Sequence, residues 1–214
     1  MTRLSNWSYS RYGTWKKCPA LLKFQMEDNT PRESHPAAAR GTDIHKNVEE
    51  YILGKAELGD GLRYYQEFFD TIRDSGAIPE LPLALDASWS PVDWDDPDRW
   101  WRGVLDCVIE GEDLVYIYDW KTGQEYGDHR EQREIYAAAY FSVNPKPNTV
   151  VIHCYLDKKQ NTVSNFPADS IPKIRKDWEV KIQEMFNDTR MVPNPGFHCR
   201  FCHFRRNNGG PCQF

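Results

Sequence analysis

Apolar residues recur along the chain at two spacings, three-to-four and two, and these divide it into helices and strands. Tyr12 and Trp15 give residues 8–17 one apolar side, and Pro19 breaks that helix. Ile44, Val48 and Tyr51/Ile52 form the stripe of a helix expected from about Gly41 to Leu53. Leu62, Tyr65, Phe69 and Ile72 do the same over about 61–74. Alternation then predicts a strand from Glu80 to Trp89, where Pro82 demands an edge or a bulge. A Pro- and Asp-rich loop over 90–98 precedes strands at about 99–110 and 114–121. A helix over about 130–142 carries Ala137-Ala-Ala, small enough to lie close to a sheet. Two further strands, 149–157 and about 162–167, flank a polar turn. The last helix begins with Ser170 as N-cap and Pro172 in its first turn, and its apolar face is Ile174, Trp178, Ile182 and Met185. Residues 31–36 and the Pro-, Gly- and Cys-rich tail read as loops. Helices, strands, a helix and more strands predict an α/β fold with a mixed sheet.

The chain is organised around Arg102–Gly123, two β-branched-rich strands joined by a polar turn. Gly111-Glu112 suits a two-residue type II′ turn. That register sets Asp106 opposite Ile117 and turns Asp106, Asp119 and Lys121 to one face, with the two acids diagonal neighbours about 7–8 Å apart. Carboxylates inside apolar strands are costly unless paired or metal-bound, and two of them can hold a divalent cation at about 2.1 Å. The competing reading is a surface hairpin with scattered charges, and an odd-length turn or a bulge would reverse the parity. Taken alone, His45 reads as an ordinary half-buried histidine. Gln132 and Tyr136, one helical turn apart, read as side chains packed against the sheet.

Composition narrows the setting. A length of 214 residues suits one domain, with a core over about 40–190 and terminal segments 1–26 and 190–214 as an appendage; 40% hydrophobic content is ample for that core. No run reaches transmembrane length, and the first residues lack the apolar stretch of a signal peptide. A cytoplasmic protein is therefore expected, whose six cysteines serve as thiols or metal ligands rather than disulfides. The net charge of −5 argues against a non-specific nucleic-acid binder, but its distribution argues the other way. Residues 1–26 hold five bases and no acid, residues 189–214 hold four arginines and no acid, and such basic ends could track a polyanion. Cys107 and Cys154 lie in apolar strands and read as core thiols. Cys18, Cys199, Cys202 and Cys212 lie in the basic ends, and Cys199-x-x-Cys202 is a metal signal.

Gly103-x-x-Asp106, then Asp119-x-Lys-Thr-Gly123, then Gln132-x-x-x-Tyr136, together with His45 in a Gly-x-x-x-His context, resemble the PD-(D/E)XK nuclease superfamily. The likeness is greatest to its RecB-type branch, which includes CRISPR-associated and phage nucleases. The resemblance implies a restriction-endonuclease-like core, with a central mixed sheet flanked by helices. It implies Mn²⁺ or Mg²⁺ held by His45, Asp106, Asp119 and the carbonyl of Trp120, and Lys121 beside the reacting phosphate. Gln132 and Tyr136 would lie along the nucleic acid. Glu80 would be a structural partner or serve a second ion. Cys18, Cys199, Cys202 and Cys212 are similar to the branch's iron–sulfur subgroup, in which a [4Fe–4S] cluster joins the chain ends. Nine residues separate Cys202 from Cys212, more than that pattern expects, and a zinc site recruiting His198 or His203 is the rival. The implied activity is an exonuclease on single-stranded DNA, in recombination, repair or CRISPR spacer processing, with partner proteins of those processes and no membrane. A site- or structure-specific endonuclease and a non-catalytic nucleic-acid-binding module are the alternatives.

Overall fold

The described residues form six α-helices and six strands; all but the helix Pro19–Glu27 and the strand Pro91–Val92 follow the order that the hydrophobic spacing predicts, and those two fall where a break at Pro19 and a loop over 90–98 are expected. The computed structural model of the chain describes residues 4–27, 36–123 and 129–214, so most of the loop expected at 31–36 lies outside the described residues. The helices are α1 (Tyr9–Lys17), α2 (Pro19–Glu27), α3 (Pro36–Ile52), α4 (Gln66–Asp74), α5 (Arg130–Val143) and α6 (Ile171–Asn187). The strands are β1 (Ile78–Leu85), β2 (Pro91–Val92), β3 (Trp101–Glu110), β4 (Leu114–Lys121), β5 (Asn148–Tyr155) and β6 (Gln160–Pro167). Two compact units form: residues 33–176, and residues 1–32 together with 177–214. No described helix is long and apolar enough to cross a membrane.

The larger unit holds one mixed sheet, ordered β2-β1-β3-β4-β5-β6. Only β4 and β5 run parallel, joined through α5 as a parallel pair requires. β2 covers only Ala84 and Leu85 of β1, so Pro79 and Pro82 sit where β1 is effectively an edge and their missing N–H groups cost no ladder bond. The β3–β4 hairpin departs from expectation. Gly111 N–H donates to the Leu114 carbonyl (2.8 Å), and Glu110 pairs with Val115, so the tight turn is centred on Glu112-Asp113, one residue later than the expected Gly111-Glu112. Register shifts by two, an even number, so each side chain keeps its predicted face. The ladder runs from Glu110–Val115 to Cys107–Tyr118 and stops there, and beyond it the Asp106 side chain takes the Trp120 N–H.

One sheet face, with Cys107, Trp120, Ile152 and Cys154, packs on Val48, Tyr51 and Ile52 of α3 and Phe69 and Ile72 of α4. Both core thiols are buried, as expected. α5 covers the other face, its Ala137, Ala138 and Ala139 fully buried against β5 and β6. α3 begins at Pro36, about a turn earlier than its apolar stripe predicts, because proline is tolerated at a first helical position and Ala37–Ala39 have high helix propensity. The expected helix over 61–74 is a 3₁₀ turn, Asp60–Tyr65, running into α4. Ser170, expected as the N-cap, directly precedes α6, and its hydroxyl donates to the Pro167 carbonyl (2.6 Å).

The smaller unit is held by aromatic packing. Trp178 of α6 stacks on Trp7 at 5.0 Å and meets Tyr12 edge-on at 5.0 Å. Trp15 Nε1 donates to Asp188 (2.9 Å). Phe24 of α2 packs against Phe204 at 5.4 Å. The tail from Cys202 folds back on itself: Gly209 takes φ +78°, Gly210 N–H bonds the Arg205 carbonyl, and Cys212 N–H bonds the Phe204 carbonyl. A Cβ on Gly210 would lie 2.3 Å from the Phe204 backbone, so only glycine fits there.

Candidate functional site

The hairpin, α3 and α5 of the larger unit bring a set of acids, bases and an imidazole together. Glu80 of β1, Asp106 of β3 and Asp119 of β4 come from three neighbouring strands, and Asp119 forms a direct parallel pair with His153 of β5. Glu80 adopts φ +47°, a left-handed conformation inside a strand that breaks the ladder between Pro79 and Leu81. Strained backbone of this kind clusters at functional sites.

His45 reaches in from α3. Its Nε2–H donates to the Trp120 carbonyl (2.7 Å), which turns Nδ1 toward Asp106 Oδ2 (3.4 Å) and Glu80 Oε1 (4.0 Å). Ligand atoms of His45, Glu80 and Asp106 all lie within 4.8 Å of one another. Neighbouring ligands around an ion with bonds of about 2.1 Å stand about 3–4 Å apart, so this donor set fits one divalent cation. Glu80 joins the metal-capable group, and Asp119, expected as a ligand, lies outside it. The Trp120 carbonyl, expected as a ligand, is engaged in orienting His45, and its N–H donates to Asp106 Oδ2 (2.7 Å).

Asp119 Oδ2 lies 2.5 Å from Lys121 Nζ, so the expected acid and amine do share a face. Lys121 also donates to Gln132 Oε1 (2.9 Å), whose amide donates to Asp119 Oδ1 (3.2 Å) and to the Tyr136 hydroxyl (2.9 Å). Gln132 and Tyr136 are each 8% exposed. Gln132 thus bridges Asp119 and Lys121. Gly123, at φ +83°, ends β4 and donates to Asp157, which Arg40 of α3 clasps with both guanidinium nitrogens at 2.9 and 2.6 Å.

Without a cation the site is overloaded with negative charge, and protonation compensates. Burial works against charge on His45, but Asp106, by hydrogen bond and by charge, Asp119 and the Trp120 carbonyl outweigh it and lift the imidazole to about 9. Burial and then repulsion from Asp106 push the Glu80 carboxyl up to about 7. Burial and the charge of Asp119 likewise push the Asp106 carboxyl up.

His153 and Arg133 are functional candidates absent from the sequence reading. His153 is fully buried, and that burial lowers its imidazole to about 4, so it is neutral at pH 7. Arg133, fixed by Ser164 (2.9 Å), donates to Nδ1 at 3.2 Å. The remaining N–H is then on Nε2, which faces Asp119 Oδ2 at 3.9 Å and has no hydrogen-bond partner among the described residues. Only the β4–β5 register reveals this pairing, and hydrophobic periodicity does not encode it.

In the smaller unit, Cys18, Cys199, Cys202 and Cys212 line one cavity, with His198 among its walls. All are free thiols. Backbone N–H groups of Asn194 and Gly196 point at the sulfurs of Cys18 and Cys199, each at 3.4 Å. His203 lines a different cavity, with Phe24 and Pro211, so of the two histidines weighed as zinc ligands only His198 accompanies the thiols.

A family model of the PD-(D/E)XK nuclease superfamily matches residues 85–207. That span includes Asp106, Asp119, Lys121, Gln132 and Tyr136, and leaves His45 and Glu80 outside. Among solved structures, the crystal structure of SSO0001 is similar in fold, with a TM-score of 0.51 and 15% identity over 95% of this chain and 85% of that one. No curated protein matches the chain.

Proposed function

The chain belongs to the PD-(D/E)XK nuclease superfamily, and from that premise we propose that it is a Mn²⁺- or Mg²⁺-dependent exonuclease acting on single-stranded DNA ends. The observation that carries the reading is the convergence of His45, Glu80 and Asp106 within 4.8 Å, beside an Asp119–Lys121 pair at 2.5 Å. His45, Glu80, Asp106 and Asp119 would hold the ion, and imidazole in the set favours Mn²⁺. When bound, such a cation lowers the pKa of a water and neutralises charge building on the phosphate. Lys121 orients the attacking water or a phosphate oxygen and stabilises the transition state. Gln132 holds the Lys121 ammonium and the Asp119 carboxylate in register with each other. Burial of Asp106 and Asp119, 8% and 3% exposed, strengthens each of these interactions by excluding water.

The four thiols are proposed to bind a [4Fe–4S] cluster with a structural role. Support comes from their common cavity and from N–H groups aimed at two of the sulfurs, since hydrogen bonds to sulfur stabilise clustered thiolates. A visible spectrum of anaerobically purified protein, with about 4 Fe per chain, is expected; zinc in place of iron would reassign the site. Recombination, repair or CRISPR spacer processing in the cytoplasm is the proposed setting.

End-labelled single strands incubated with Mn²⁺ should be degraded, with EDTA or Lys121→Ala abolishing the reaction. Cutting of closed circular single strands would reassign the enzyme as an endonuclease. Binding without cleavage under all metal conditions would leave only a nucleic-acid-binding module.

A further inference from the structure

The turn that carries two of the cluster cysteines also exposes two large aromatic rings. Phe197–Phe201 is a 3₁₀ turn, and three residues per turn place Cys199 and Cys202 on one side and Phe197 and Arg200 on another. The thiols face their cavity. Phe197 and Phe201 are 70% and 72% exposed, and their rings touch at 5.8 Å. The Arg200 guanidinium lies 4.9 Å from the centre of the Phe197 ring. Single exposed apolar side chains are ordinary, but a contiguous pair capped by a cation marks an interaction surface.

Its charge identifies the partner. Residues 189–214 carry Arg190, Arg200, Arg205 and Arg206 and no acid, which complements a polyanion. Aromatic faces interleaved with arginine are the means by which proteins bind unpaired bases irrespective of sequence, rings stacking on bases and cations tracking phosphates. A duplex keeps its base faces stacked inside, so it offers nothing to these rings. We propose that Phe197, Phe201 and Arg200 form a stacking platform for single-stranded DNA in the smaller unit. The choice of nucleic acid as ligand rests on the nuclease reading, and the platform adds a binding site in a unit that holds none of the proposed catalytic residues.

The test is fluorescence anisotropy in EDTA, so that no cleavage occurs, with a labelled 20-mer of dT and an abasic strand of equal length. Stacking contributes roughly 5- to 150-fold per base. Wild type should bind dT at least about 10-fold more tightly than the abasic strand. The double substitution Phe197→Ala/Phe201→Ala should erase that preference, and Phe201→Tyr should retain it. Arg200→Gln should weaken both strands alike, because it removes a phosphate contact. Equal binding of dT by wild type and the double variant overturns the platform, as does equal binding of both strands by wild type. A wild type that sediments as an oligomer and a double variant that sediments as a monomer would overturn it too, making the surface an interface between copies. Failure to digest DNA with Mn²⁺ while the dT preference persists would sink the nuclease reading alone.

Discussion

Two residues beside the metal-capable group define separable tests. Lys121 pairs with Asp119 at 2.5 Å, and in the proposed reaction it stabilises the charge of the transition state. Lys121→Ala should lower the cleavage rate by about 10²–10³-fold. It should not weaken Mn²⁺ binding, because Asp119 loses a competing cation; titration of the free Mn²⁺ EPR signal separates the two effects. His153 acts from behind Asp119. His153→Leu removes both the N–H facing Asp119 and the acceptor of Arg133, and should weaken Mn²⁺ about 10-fold, the usual cost of losing a group that orients a ligand. His153→Gln keeps a donor and an acceptor and should restore most of the affinity. Identical affinities in wild type and the leucine variant would show that His153 only fills space. At this scale the sequence revealed the chemistry-bearing acids because a carboxylate inside an apolar strand is anomalous. It hid His153, whose Val-Val-Ile-His-Cys-Tyr setting resembles any core strand until its neighbour is known.

Among elements, the hairpin shows why the acid–amine arrangement was legible although its turn was not. A turn centred one residue later changed which residues oppose each other, yet side-chain facing depends only on parity, and a register shift of two preserves it. Glu80 was harder to read, because its left-handed backbone and the edge position of β1 follow from the ladder with β3 and the short reach of β2, both tertiary facts. The nine residues between Cys202 and Cys212 fold back on themselves, turning at Gly209 and passing Phe204 at Gly210. Gly210→Ala should therefore cost about 1–3 kcal/mol through overpacking against backbone. Purified Gly210→Ala should also show lower metal content per chain than wild type, measured by elemental analysis. Undiminished metal and an unchanged Tm would mean that the tail accommodates a side chain there.

For the molecule as a whole, the charges at the metal-capable group link stability to pH and to cations. A histidine whose folded pKa is about 9 against an ordinary 6.5 stabilises fully below 6.5, and that stabilisation is lost as pH rises through 9. A Glu80 carboxyl raised to about 7 has the same sign, since its ionisation in the fold is unfavourable. His153, lowered to about 4, acts oppositely but only below about 6.5, where its unfolded form gains a proton. Between pH 7 and 9, metal-free protein in EDTA should thus lose several degrees of Tm, and Asp106→Asn should flatten the trend. Mn²⁺ at about 100 times its dissociation constant should restore about 2.7 kcal/mol, the more visibly at the alkaline end where His45 has shed its proton. A Tm that rises over the same range in EDTA would contradict the charge balance described. The division of the chain carries a different consequence, for biosynthesis. The larger unit is fully encoded once residue 176 has been translated, whereas residues 1–32 find their partner only in residues 177–214. At about 5–20 residues per second the earlier stretch waits for one made after the larger unit, so the nascent protein acquires its sheet first and its thiol-bearing unit afterwards, and any cofactor loading there follows the folding of the sheet.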